Sequence, residues 1–420
     1  MTSATFAQSG AQTNPELLQS IIKASETYSI VASQDIVDIR GLKLWAKGQP
    51  VSVALQQRLL ERKLMQPLEA CLMAEDGVTP FTLLDELNAF WAEESSLSQA
   101  MRPHAAVLEK QLKQIPLHSV AQLLLTTALA TRPDSLPHAV RAMALAGSMA
   151  QAQSSPVDTR LAMLGGLLHD IGEAYIQPQY LDPEQPLDLL GHKHMMVHPR
   201  MAQVLLSATT DYPVTLCRAV GEHHERLNGS GYPARLSGEA ISPLGLLLAA
   251  VEVTMGIARV RRPAPLTRAS FALRVVPGEF PTRYSSVVFN MARAAKEEVP
   301  QHFELPNVAL EHINTALTNA QKIAQTFQSF SLSTDARLIV SLALERMARM
   351  RVAWNALGVW GMSPSELTAH DHFEMSLAGS ELRLRMRDLQ RECMLMAEHL
   401  NQTEIAQLQP IWADLLIRNS

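Results

Sequence analysis

Seven of the chain's 14 histidines (His138, His169, His192, His194, His198, His223 and His224) fall within 87 of its 420 positions, where an even spread would leave about three. Neutral imidazole is the commonest metal ligand near pH 7, so such an excess raises the question of a metal site. Taken singly, each of these residues is also explained as a surface or helix-capping histidine.

Their surroundings narrow the choice. In LAMLGGLLHDIGEAY, His169 and Asp170 follow an uncharged run, Leu161 to Leu168, which predicts that both polar groups sit at the end of a buried helix. There they must find partners or carry a desolvation cost of several kcal/mol. A dication meets that need, since imidazole nitrogen and carboxylate oxygen both become ligands and a carboxylate can bridge two ions. In GEHHERLNGSGYP, His223 and His224 point about 100° apart on a helix and can share a metal cluster only if it lies between their directions. Asn228-Gly229-Ser230-Gly231 is a polar loop whose backbone amides could face a ligand, although such loops are usually plain turns.

The elements that must position these groups are mostly helices. Hydrophobic residues make up 47% of the chain and aromatics only 5%, with 19 Met, a balance suited to helical packing rather than a β-sandwich. The 36 Lys+Arg against 41 Asp+Glu leave a net charge of -5, which argues against a duplex nucleic-acid binder. Cys71, Cys217 and Cys393 form no CxxC pair, so neither a disulfide framework nor a thiolate zinc site is expected. The most apolar run, Leu244 to Val251, is interrupted by Glu252, far short of the ~20 residues of a membrane span. The N-terminus has no secretory pattern, and a cytoplasmic location without membrane insertion is expected.

Ile36, Val37 and Ile39, then Arg40-Gly41, then Leu42, Leu44 and Trp45 predict a hairpin. Val53, Leu55, Leu59, Leu60 and Leu64 form one stripe of a following helix. Further helices are expected over Thr82–Trp91, Ala105–Ile115, Val120–Ala130, Asn307–Phe330, Ala336–Leu357 and Leu377–Leu400, with a capping box at Ser363-Pro364-Ser365-Glu366 before the last. The organisation expected is a disordered leader over 1–15, a small α+β module over 16–80, a helical connector over 81–117, a chemistry-bearing domain over 118–298 and a C-terminal helical bundle over 299–420.

His138, His169-Asp170 within LLHDIG, His198-Pro199 and HHERLNGSGYP occur in the order and approximate spacing of the HD-GYP domain. Residues 118–298 thus resemble this subgroup of the HD metal-dependent phosphohydrolases. The hairpin and helix around Asp35 to Leu64 also look like a module found ahead of such domains. The resemblance implies an all-helical domain around two or three divalent ions, iron or manganese. The implied ligands are His138, His169, Asp170, His198, His223, His224 and Glu252, with His169 and Asp170 as the catalytic pair. Glu252 stands where the family normally has Asp, moving the oxygen by about 1.5 Å. Asp134 lies near a position where some members offer another carboxylate. The implied reaction is hydrolysis of cyclic di-GMP, or a related phosphodiester, by metal-activated hydroxide. Arg262, Gly231 and Tyr232 match substrate-contacting positions.

Three departures qualify the resemblance: the family's HDxGK lysine is Glu173, a second lysine is missing from PQYLDPEQP, and the tyrosine after Arg262-Pro263 is Ala264. An anion at position 173 reverses a local interaction worth roughly 4 kcal/mol at 4 Å and an effective dielectric constant near 20. Two alternatives to the active enzyme therefore stand. One is a catalytically weakened signalling scaffold that binds a nucleotide or protein partner, its C-terminal helices offering a partner or homodimer surface. The other is a phosphohydrolase for a different ester.

Overall fold

A computed structural model describes residues 11–59, 62–152, 155–182, 185–260, 262–298, 307–327, 330, 332–357 and 367–413. It is mainly α-helical, as the apolar periodicity predicts, and packs as two units, Met1–Arg259 and Val260–Ser420. This division falls inside the span 118–298 expected for the chemistry-bearing domain, whose limits we keep as a proposal.

The first unit begins with short antiparallel pairings. β1 (Ala11–Gln12) precedes α1 (Pro15–Ala24), β2 (Ile30–Ala32), β3 (Ile36–Val37), β4 (Lys43–Trp45), α2 (Val53–Leu59), β5 (Lys63–Leu64) and β6 (Leu72–Ala74). The strands pair β1–β5, β2–β6 and β3–β4. The expected hairpin is β3–β4, its turn held by Asp38 Oδ1, which accepts from the amides of Arg40 and Leu42 at 2.9 Å each. Two expectations are corrected. Ala11–Gln12, inside the expected disordered leader, pairs with Lys63–Leu64. Leu64, expected on the helix that contains α2, is instead a buried strand residue of β5. An apolar stripe reports burial, and Leu64 is buried in either conformation. Leu60 lies outside the described residues.

Helices follow: α3 (Pro80–Ala92), α4 (Ser96–Met101), α5 (Ala105–Leu112), α6 (Ser119–Thr131), α7 (Ser135–Ala150), α8 (Thr159–Leu168), α9 (Leu189–Met195), α10 (His198–Thr209), α11 (Val214–Glu222) and α12 (Pro243–Arg259). Helix α7 packs on α8 and α12, α11 on α10 and α12, and α10 on the turn Ile171–Tyr175 that follows α8. Their shared core includes Val140, Met143, Met163, Leu167, Leu206, Val220 and Leu247, all buried. The apolar run Leu244–Val251 supplies most of the buried residues of α12. No helix among the described residues is long and apolar enough to cross a membrane.

The second unit comprises α13 (Pro265–Ala272), α14 (Thr282–Ala295), α15 (Asn307–Phe327), α16 (Thr334–Asn355), α17 (Ala369–Ala397) and α18 (Gln402–Ala413). Its core is a cluster around Ile313, Leu317, Ile339, Met347, Leu382, Met386 and Trp412. The expected capping box at Ser363–Glu366 lies outside the described residues.

Candidate metal centre

Helix ends build this site. The last carbonyls of a helix lack intrahelical partners and carry the negative end of its dipole. His169 follows α8 and its Nδ1 lies 2.8 Å from Gly166 O; His223 follows α11 with Nδ1 2.6 Å from Val220 O. His198, just past α9, places Nδ1 2.7 Å from Met195 O. A carbonyl oxygen can only accept, so each Nδ1 donates, and each neutral ring is left with a lone pair on Nε2. Three imidazoles thereby cap helix ends and aim their free nitrogens inward. Gly172 allows the approach: a Cβ there would meet His198 O at 2.1 Å, so only glycine brings the His169-Asp170 turn against the start of α10.

Asp170 stands between two sets of rings. Its Oδ2 is 3.5 Å from His138 Nε2 and 3.2 Å from His169 Nε2, while Oδ1 is 3.6 Å from Nε2 of both His198 and His223. Glu252, on α12, reaches His169 Nε2 at 3.3 Å. The ligand atoms of Asp170, His198, His223 and His224 lie within 4.8 Å of one another, as do those of His138, His169, Asp170 and Glu252. Asp170 belongs to both groups.

The donors fit divalent ions. His198 Nε2 and His223 Nε2 lie 3.1 Å apart; with both Nδ1 atoms protonated, two lone pairs face each other, an arrangement that a cation between them relieves. His169 Nε2 is buried and forms no hydrogen bond to a described residue, although two carboxylates lie near it. Burial resists charge on His169, yet Asp170 and Glu252 outweigh it and raise its proton affinity well above the usual imidazole value. Burial also opposes ionisation of Asp170, but His169 and the hydrogen bonds around it hold the carboxyl well below its usual range. Glu252 is likewise lowered, burial being outweighed by His169. His198, by burial and then by His223, falls to about 4, and the same two causes depress His224. Two carboxylates held ionised beside His198 and His224, whose rings burial keeps neutral, attract positive charge, which a cation would supply in place of the proton on His169; the mixed nitrogen and oxygen donors suit first-row divalent metals.

Comparison with known proteins agrees with this geometry. Residues 123–270 match the family model described as HD domain. With the GYP loop in place beside the two ligand groups, this segment is an HD domain of the HD-GYP type. It is similar to 3'3'-cGAMP-specific phosphodiesterase 1 of Vibrio cholerae serotype O1 (strain ATCC 39315 / El Tor Inaba N16961), 27% identical over 160 residues, 38% of this chain and 37% of that protein. It is 34% identical over 118 residues to a cyclic di-GMP phosphodiesterase of the same strain, 26% of this chain and 24% of that one. It is also 35% identical over 98 residues to the cyclic di-GMP phosphodiesterase response regulator RpfG of Xanthomonas campestris pv. campestris (strain 8004), covering 23% and 26% of the two chains. The chain thus spans well under half the length of these relatives. No solved structure gives a significant match.

In the HD domain the GYP loop supports His224. Tyr232 stacks on its ring, centroids 4.4 Å apart and planes at 15°, and the Tyr232 amide donates to His224 O at 3.1 Å. Gly231 is buried beneath it, since a Cβ there would meet His224 O at 2.3 Å. Buried Glu225 anchors the loop by accepting from the amides of Ala234 at 2.7 Å and Leu236 at 2.9 Å. Asp134 lines the same cavity as His138 and Asp170 but belongs to neither ligand group. His192 and His194 lie on α9 outside both groups, His194 stacked on Tyr180. Arg262 is an exposed residue of the second unit. In that unit Ala264 is buried against Phe373 and Leu377.

Sequence reasoning missed Arg132. It caps the end of α6, and its Nη1 donates to Glu173 Oε2 at 2.5 Å. Both residues line a cavity of about 360 Å³ with His138, Asp170 and Arg259. They also line a smaller one of about 220 Å³ walled by Glu16, Gln19, Ser20 and Lys23 of α1. The N-terminal module therefore forms part of the surroundings of the site, which no local signal indicated.

Proposed function

We propose that the HD domain is a metal-dependent phosphodiesterase for cyclic dinucleotides, with cyclic di-GMP as substrate. The proposed ligands of two or three iron or manganese ions are His138, His169, Asp170, His198, His223, His224 and Glu252. One observation carries the reading: Asp170 presents its two oxygens to different imidazole sets, as a bridge between two ions requires. When bound, the cations supply a water of lowered pKa and neutralise charge developing on the phosphate.

The chain's own contribution is preorganisation. Carbonyls of Gly166, Met195 and Val220 hold three rings with their lone pairs inward, so little reorganisation accompanies the reaction. Tyr232 holds the ring of His224. Gly231 and Tyr232 are proposed to contact the substrate, with His169 and Asp170 closest to the reacting phosphate. The relatives named for cGAMP and for cyclic di-GMP support the substrate class.

Glu173 favours a second reading, a weakened scaffold that binds a nucleotide without turning it over, because it places an anion in the cavity with Asp170. Its pairing with Arg132 offsets that charge and ranks the enzyme first.

Protein purified without chelator should carry two or more iron or manganese ions per chain and hydrolyse cyclic di-GMP faster than cGAMP or bis(p-nitrophenyl) phosphate. Binding of cyclic di-GMP to metal-loaded protein without hydrolysis would establish the scaffold instead. Preference for cGAMP would change the substrate within the class. Absence of metal would overturn the enzyme reading.

A further inference from the structure

The cavity beside Asp170 contains a cation held ready for an anion. Arg132 spends one N–H on Glu173, while its Nε and Nη2 donate to no described residue. A guanidinium has five donors in a rigid fork that matches phosphate oxygens in a bidentate way. Glu173 fixes this fork: its carboxylate is largely buried, and the turn Ile171–Tyr175 that carries it starts one residue after Asp170. The pair thus joins the wall that holds Asp170 to the end of α6. Arg132 lines the cavity together with His138 and Asp170, two members of the second ligand group.

We infer that Arg132 is a phosphate-binding residue of this site and that Glu173 is its positioning residue. The inference rests on the proposed phosphodiesterase reading and deepens it, by assigning the cation that receives a non-bridging phosphate oxygen of the ligand. Glu173 then acts through Arg132 rather than against the ligand, since each oxygen that approaches the fork meets donors that Glu173 leaves unused.

The test is calorimetric titration of inorganic phosphate and of GMP into metal-loaded full-length protein, with metal content and thermal melt measured for each variant. Arg132→Gln/Glu173→Gln removes both charges together and avoids a buried lone carboxylate. It should weaken binding of both probes about tenfold at unchanged metal content. Arg132→Lys should recover only part of the affinity, because a point charge replaces the fork. Glu173→Gln alone should weaken binding less, and its effect should vanish when Arg132 is already Gln, as expected for a residue acting only through its partner.

Wild-type affinity in the double variant would overturn the phosphate role. A Glu173→Gln effect that persists without Arg132 would overturn the positioning role. If wild-type protein bound neither probe, the inference would fall. If the wild type bound phosphate and GMP but did not hydrolyse cyclic di-GMP, the proposed substrate would fail while the titrations still judged Arg132.

Discussion

The two units of this protein bury polar groups in opposite ways. In the first, His169, His198 and His223 are buried with their Nδ1 atoms on backbone carbonyls and their Nε2 atoms converging on Asp170. In the second, Arg385 Nη2 lies 3.2 Å from Glu279 and 3.1 Å from Ala272 O, its Nη1 pairs with Glu381, and Gln390 donates to Trp412 O at 3.1 Å. One arrangement is closed, each charge answered by a neighbour. The other leaves lone pairs facing one another and two carboxylates beside a buried imidazole, a balance that cations would complete. Among the described residues, both metal-type groups belong to the first unit. Buried polarity by itself therefore says little about function; what matters is whether its partners are already present.

Removing the shared ligand should separate the two regions most sharply. Asp170→Ala should reduce bound metal below one ion per chain and lower hydrolysis by about 100-fold or more, read by metal analysis and assay. Arg385→Met should do the reverse. It strands Glu279 and Glu381 without their cation, costing about 3–5 kcal/mol in chemical denaturation while metal content holds. Equal loss of metal in both variants would erase the distinction.

Glu173→Lys sharpens the comparison inside the first unit. Lysine there would face Arg132 and lose the ion pair, so we expect about 1–3 kcal/mol of destabilisation by urea denaturation rather than a gain in turnover. Increased turnover with unchanged stability would mean that Arg132 does not meet residue 173 in solution. Tyr232→Ala should lower metal affinity about tenfold through loss of the ring stacked on His224, whereas Tyr232→Phe should stay close to wild type. Competition with a fluorescent chelator measures both.

The smallest effect concerns Glu69, whose carboxyl is raised by burial despite the hydroxyl of Tyr175 donating to it. The native state then holds its proton more tightly than the unfolded chain. Stability is fully present below the ordinary glutamate value of 4.5 and declines as pH rises from there toward the raised native value. Glu69→Gln, which never ionises, should flatten that decline in urea midpoints followed from pH 4 to 8. A parallel pH profile in the two proteins would show that Glu69 is not protonated in the native state.

Much of the candidate site was legible in the sequence because its signals are local. An uncharged run ending in His169-Asp170 marks a buried helix end, and His223-His224 lead directly into the GYP loop. The three long helices of the second unit, α15, α16 and α17, were equally plain, since apolar periodicity over twenty or more residues has few other solutions, although α17 begins at Ala369 rather than at the expected Leu377. The shorter α13, α14 and α18 were not read from the sequence. Leu64 was misread because a buried leucine serves a strand as well as a helix. Ala11–Gln12 found order through pairing with residues some fifty positions away, which its polar neighbours could not indicate.

The sequence alone determined which side chains could serve as ligands and that helices would present them. Tertiary structure decided that Asp170 lies between two sets of imidazoles, that Tyr232 stacks on His224, and that Glu173 meets Arg132 across 41 positions of chain. The reason is physical: helix propensity and capping act over a few residues, whereas the meaning of a charge depends on whichever group packing places within a few ångströms of it.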